Sequence, residues 1–365
     1  MPEPVPMSAD VALSGSPPSR WSRLLARDSG ADYFHTPIWT ETTARYLPAG
    51  RPVWLTLCRD GQLLGGLSAV VHGSVFRRTH SGPHGCSGGP LVSPDLDQAQ
   101  AARVVTALLD ALLEVRGAGL ASCGVALNPV HEQRWGKLLA DLGGWRRQDN
   151  RAAVIPLPAE EGLLVAQLRR SKRKERDRAL RRGVTAAVSD DPEDLASYHR
   201  LHVDASNLWG VPAQPLDLLG DLIAAPADAT GGAAWFVCVR YEGEVIGGHL
   251  NLQRGDWVTA WNGVTDPTRA RTLYPATLAV WADMVEAQRR GARWLDLGAS
   301  GGSASLGFFK EGFGAEIRHR GWYVADTRLA RLVRGLRGIV GRRDSLVGGR
   351  RLHDPSAPVA QDGGT

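Results

Sequence analysis

Between residues 98 and 115 apolar side chains fall at Val104, Val105, Leu108, Leu109, Leu112 and Leu113. That spacing predicts an amphipathic helix. Ahead of it, residues 52–58 (PVWLTLC) and 62–72 read as strands. Asp60-Gly61 between them is a hairpin signal. Short helices are predicted at 21–26 and from Pro37, a helix-starting proline, to about Tyr46. After Gly117 come a strand near 120–127, a helix over 131–142 and a strand over 151–157. The second half repeats this order. Helices are expected at 192–208 and 216–224, then strands at 235–241, 245–253 and 257–263. A long helix follows over 276–289, then a strand at 293–297, a helix near 305–311 and a strand at 316–324. The connections match as well: Arg116-Gly117-Ala118 ends one long helix and Arg290-Gly291-Ala292 the other. Both short helices run into glycines suited to a left-handed cap, Gly143-Gly144 and Gly312-Phe313-Gly314.

A doubled order of elements in 365 residues predicts two domains, each large enough for its own core. We expect a disordered leader over 1–20, domains at 21–158 and 159–326, a basic amphipathic helix at 327–343 and a disordered tail at 344–365. No apolar run approaches the roughly 20 residues of a spanning helix, and the leader lacks the pattern of a secretory signal. The four cysteines, Cys58, Cys86, Cys123 and Cys238, are scattered without CxxC or Cys/His spacing. Neither a disulfide framework nor a zinc site is expected, and the cytoplasm fits best. The formal charge is only +5, but nine of the fourteen residues from Arg169 to Arg182 are Lys or Arg. Such a cluster suits a phosphate-bearing partner.

The order of meander, long helix, strand, short helix and strand resembles the GNAT acyltransferase fold. The chain is therefore expected to be α/β (α+β), two tandem GNAT-like domains, each a mixed, mostly antiparallel sheet flanked by helices. Acetyl-CoA enzymes of that fold hold pyrophosphate on a glycine-rich turn before the long helix. The corresponding turn here, DPTRARTLYP over 266–275, has no glycine. The segment GARWLDLG followed by Leu306 to Gly314 (LGFFKEGFG) is similar to the signature of the FemAB family of aminoacyl-tRNA-dependent peptidyltransferases. Phe34-His35-Thr36-Pro37-Ile38-Trp39, the Gly/Pro loop 82–90 and the basic stretch from Ser171 fit the same family in order and spacing. The long helical hairpin of some members has no room between Leu168 and Asp190.

The resemblance implies amide formation between an activated acyl or aminoacyl donor and an amine, on a cell-wall precursor or a small metabolite. Aminoacyl-tRNA is the expected donor and acyl-CoA the alternative; a non-catalytic binder of a nucleotide-linked or anionic ligand is a further reading. No cofactor beyond the donor and no metal is expected. With no GxSxG and no Cys beside a His, a covalent nucleophile is not required. The catalytic candidates are Lys310, for an oxyanion or a substrate phosphate, Asp296, to orient the amine or accept its proton, and His249, as general base. Each also has a structural reading: exposed lysine, helix cap and core histidine. Candidates for substrate contact are Phe309, Trp257, Trp261, Asn262, Arg271 and Tyr274. The two tryptophans, four apart, would share one strand face. Arg169, Arg170, Lys172, Arg173, Lys174, Arg176, Arg181 and Arg182 are the candidates for tRNA phosphates, with charge expected around much of their helix. The C-terminal basic helix offers contact with tRNA or an anionic membrane.

Overall fold

The structure is a computed structural model that describes residues 11–160, 162–226, 231–300 and 303–335. In chain order the strands are β1 (Ala12–Ser14), β2 (Arg51–Arg59), β3 (Gln62–His72), β4 (Arg77–Ser81), β5 (Leu91–Val92), β6 (Ala121–Ala126), β7 (Arg146–Pro156), β8 (Thr185–Ser189), β9 (Gly232–Tyr241), β10 (Glu244–Arg254), β11 (Trp257–Thr265), β12 (Trp294–Ala299) and β13 (Glu316–Asp326). The helices are α1 (Trp21–Arg27), α2 (Pro37–Tyr46), α3 (Gln98–Arg116), α4 (Pro129–Asp141), α5 (Leu163–Gln167), α6 (Arg170–Arg181), α7 (Pro192–Trp209), α8 (Leu216–Ala224), α9 (Ala270–Leu273), α10 (Pro275–Arg289) and α11 (Ala304–Glu311). Among the described residues no helix is long and apolar enough to cross a membrane.

The chain forms two compact units. The first takes described residues 11–149 and 320–335, the second 150–319. In the first, β2 and β3 form the predicted hairpin, with φ of 48° at Asp60 and 72° at Gly61 in its turn. β4 then runs parallel to β6. Thr36 caps α2, and Asp97 with Gln100 forms a capping box on α3. The predicted stripe of α3 packs on Val53, Leu55, Leu57 and Leu67. Each such side chain contributes about 1.5–3 kcal/mol when buried. The second unit orders its strands β7–β12–β11–β10–β9–β8. Val280, Met284 and Ala287 of α10 close its core over Ile155, Trp235, Val258 and Leu295.

Two corrections concern the boundaries. Residues 12–14, assigned to the leader, form β1 and pair with Thr56, Leu55 and Trp54. The halves also exchange their last strands. Val154 to Pro156 pair with Asp296 to Trp294 in the second unit. Trp322 to Asp326 pair with Ala126 to Ser122 in the first. Strand order along the chain reveals the doubling but not the exchange, because both pairings satisfy the same apolar pattern. Residues 328–335 are helical as expected. The rest of the predicted C-terminal helix and the tail lie outside the described residues.

Candidate active site

In the second unit β11 and β12 run parallel, but they pair only over Trp257–Thr259 and Trp294–Asp296. β11 continues to Thr265 and β12 to Ala299, so the two strand ends part. Two candidate residues flank this parting.

His249 lies on β10, paired with Gly263 on the departing part of β11. A Cβ at Gly263 would stand 2.2 Å from the His249 ring, so glycine there seats the imidazole. Asp283, fully buried on α10, accepts a hydrogen bond at His249 Nδ1. The other Asp283 oxygen accepts from Asn251 Nδ2 at 2.7 Å. The ring is only partly buried, with 14% of its side chain exposed, and Nε2 remains for a substrate proton. A carboxylate on Nδ1 fixes the tautomer that leaves Nε2 basic.

Lys310 sits across the parting, on α11, and is 6% exposed. Its ammonium donates to the carbonyls of Leu297 (2.8 Å), Gly298 (3.0 Å) and Ala299 (2.8 Å). Burial pushes its pKa down to about 8, against Asp296, which pulls it up. All three ammonium protons are thus spent on the end of β12. Asp296 is buried and accepts from the backbone of Gly298 at 2.7 Å, which shapes the same turn.

The remaining candidates are dispersed. Trp257 is buried beside Trp294, with ring centroids 6.3 Å apart. Trp261 is the residue that the β10–β11 register skips, since Leu250 pairs with Asn262 and Asn251 with Ala260. This bulge breaks the period of two, so the shared face expected for the two tryptophans does not follow. Asn262 alternates with Gly263 and serves the opposite face from His249, where it accepts from Tyr198 Oη at 2.5 Å. His202 lies beside it, with Nε2 accepting from Gln214 N, and burial pushes its pKa down to about 4. Phe309 packs partly into the core, under the Lys172 ammonium at 4.3 Å from its ring. Arg271 is exposed on α9, and Tyr274 takes a left-handed φ of 52° that turns α9 into α10.

The basic helix α6 is sorted by its packing. Lys172, Arg176 and Ala179 turn inward: Lys172 pairs with Glu175 at 2.7 Å, and Arg176 lies over Trp281. Glu175 also accepts from Thr277 Oγ1, at 2.6 Å, in the first turn of α10. Arg169 pairs with Glu311 at 3.1 Å, and Arg182 reaches the Thr272 carbonyl. The residues that sequence reasoning missed are Asp283, Gly263 and Glu175. Asp283 did leave a signal, as the one charge within the run Ala276 to Val285 of α10.

The first unit holds a second polar cluster, fully sealed. Asp28 accepts from Gly30 N, Val92 N, His131 Nε2 and Arg134. Asp32 accepts from Ser87 and Asn128, with His35 Nδ1 at 2.8 Å. Burial alone would raise both carboxyl pKa values; the hydrogen bonds and the neighbouring histidines outweigh it and hold both well below the usual range. Burial pushes His72 and His84 to about 4 and His80 to about 3, so these rings stay neutral near pH 7. Among the described residues no group of three or more His, Cys, Asp or Glu is arranged to hold a metal.

Residues 166–309 match the family described as acetyltransferase (GNAT) domain. Among solved structures, FemX is similar with a TM-score of 0.63 and 15% identity, over 89% of this chain and 99% of FemX. A tandem GNAT protein from the clavulanic acid biosynthesis pathway gives 0.52 at 12% identity, covering 84% and 94%. L-PGS from Bacillus licheniformis gives 0.50 at 12%, covering 91% and 98%. A comparison with curated proteins by sequence gives no match. The resemblance read from LDLG and LGFFKEGFG is borne out in the fold, which is GNAT-type and FemX-like.

Proposed function

We propose that this chain transfers an activated acyl group, carried as an aminoacyl ester on tRNA, to an amine on a cell-wall precursor or a small metabolite. The observation that carries the reading is the Asp283–His249 pair, open at Nε2, beside the parting of β11 and β12. In the reaction the amine nitrogen attacks the acyl carbon and His249 Nε2 takes the proton released from nitrogen. The tetrahedral oxyanion collapses, the ester C–O bond breaks and the same proton passes to the leaving hydroxyl. An amide and a free hydroxyl result. An ester donor is already activated, so positioning supplies much of the remaining rate. Lys310 acts in this scheme as a positioning residue that keeps β12 clear of the donor.

The choice of donor rests on the start of α10. A CoA diphosphate is well held by free N–H groups at a helix N-terminus. Here the first helical residue is Pro275, which has no N–H, and the Glu175 carboxylate is bound to Thr277 in the same turn. Lys172 neutralises that carboxylate, so what counts against a diphosphate there is the missing N–H and the occupied Thr277 hydroxyl. We also place the reaction in the cytoplasm, where the free thiols of Cys86, Cys123 and Cys238, buried in this structure, stay reduced.

The test offers purified chain total charged tRNA or a panel of acyl-CoAs, each with a mixture of candidate amines. Consumption of one aminoacyl-tRNA, abolished by RNase, is the expected result. Consumption of an acyl-CoA, indifferent to RNase, would replace the donor assignment and leave amide formation standing. If neither donor is consumed and His249→Gln alters only ligand affinity, the chain is a binding protein.

A further inference from the structure

Strand β10 sets two side chains against Asp283. His249 and Asn251 lie two residues apart and pair with Val237 and Trp235 of β9 in unbroken register, so both face α10. Asp283 is fully buried and divides its carboxylate between them. One oxygen accepts from His249 Nδ1 and the other from Asn251 Nδ2, at 2.7 Å. Asn251 Nδ2 also reaches the His249 carbonyl, at 3.4 Å.

Asn251 is itself wholly buried, and its Oδ1 has no hydrogen-bond partner. Turning the amide over would bring Oδ1 against the Asp283 carboxylate, acceptor to acceptor. The carboxylate therefore fixes the one orientation that leaves Oδ1 without a donor. A buried acceptor left in that state is costly, and few are kept in native proteins. What the amide gains in return is control of Asp283. A carboxylate tied at one oxygen can turn about its Cβ–Cγ bond. Tied at both oxygens to one strand, it keeps its other oxygen on Nδ1, in the way that an outer partner orients a histidine ligand. The donor is also neutral. A cation in its place would compete with the imidazolium for the carboxylate, whereas an amide leaves that charge for the ring when Nε2 takes a proton.

We propose that Asn251 is a positioning residue: it locks the Asp283 carboxylate so that His249 carries its proton on Nδ1 and presents a bare Nε2. Its bearing on transfer rests on the function proposed above, but the tautomer is set in the chain without substrate. The two ideas therefore fail separately.

The experiment reads the tautomer by nitrogen-15 NMR of the full chain labelled at histidine. The spectrum of His249→Gln identifies the ring among the ten histidines. In a single neutral tautomer the two ring nitrogens resonate far apart; in a mixture they draw together. The wild type is expected to show the Nδ1–H form alone. Asn251→Leu, close to asparagine in size but without a donor, is expected to draw the two signals together. It should also lower kcat by about tenfold or more and leave KM within about twofold, the scale of losing an outer partner of a histidine. Asn251→Ala, which only removes atoms, repeats both readings should the leucine variant not fold. A wild-type ring protonated at Nε2, a folded variant that keeps the wild-type tautomer, or a shifted tautomer with kcat intact would each overturn the proposal. A tautomer that shifts in a chain consuming no donor upholds the positioning role and removes the transfer reading instead.

Discussion

Among the described residues each unit holds one histidine seated on a glycine and tied to a buried aspartate, yet the two pairs are built for different ends. In the first unit a Cβ at Gly30 would stand 2.3 Å from the His131 ring; in the second, Gly263 seats His249 in the same manner. His131 and Asp28 are wholly buried, and Asp28 is saturated by two backbone amides, the imidazole and Arg134. His249 keeps an open nitrogen, and among the described residues its aspartate is occupied only by the imidazole and Asn251. The same pair of residue types ties three segments together where it is sealed and offers a proton acceptor where it is open. What separates the roles is access to the second ring nitrogen, Nδ1 buried in His131 and Nε2 open in His249, not the presence of the pair.

Breaking the sealed pair should show chiefly in stability. Asp28→Ala leaves His131 and Arg134 without their carboxylate and is expected to destabilise the chain by about 3–5 kcal/mol, read as a lowered denaturant midpoint. Acid should act in the same direction. Asp28 and Asp32 have folded pKa values below the unfolded one, so their contribution is complete above about pH 3.8 and is lost as pH falls below it. An acid transition that Asp28→Asn leaves unchanged would contradict this.

The glycines sharpen the contrast. Gly263→Ala should displace the His249 ring and lower kcat/KM by about a hundredfold, the cost of misplacing a catalytic group by an ångström, with thermal stability nearly kept. Gly30→Ala should do the reverse, costing about 1–3 kcal/mol by overpacking with the rate of correctly folded enzyme unchanged. Identical phenotypes for the two substitutions would erase the distinction.

The smallest predicted effect belongs to Lys310. Its folded pKa, about 8, lies below the ordinary lysine value of 10.5. Deprotonation therefore favours the folded state, and stability should rise between about pH 8 and 10.5. Over the same range one of three carbonyl contacts loses its donor, and activity should fall a few-fold. A pH–rate profile beside a pH–stability curve would show the two diverging; a parallel fall in both would contradict the positioning role.

Much of this was legible in the sequence, for definite reasons. Strand and helix periods, the Asp60-Gly61 turn and the caps at Thr36 and Asp97 are local, so they survive without coordinates. His249, Lys310 and Asp296 could be named from residue type and from the family resemblance. The exchange of β7 and β13 could not be read, because a strand's pattern states which face is buried and not which neighbour it pairs with. Nor could the bulge at Trp261, since one residue left out of register has no composition of its own. Lys310 read as a free cation because three backbone carbonyls leave no mark in a sequence. The sorting of α6 depended on Glu175 and Trp281 lying beneath it, a fact of packing that helical spacing alone does not carry.

The central claim is that the open histidine does the chemistry. The most direct test is the single-turnover rate of amide formation by His249→Gln at saturating donor, set beside its melting temperature. The account predicts a fall of at least about a hundredfold, within the range for losing a general base, and a melting temperature within a few degrees of wild type. A rate within threefold of wild type in a folded variant would contradict it, and the proton acceptor would have to be sought elsewhere in the unit.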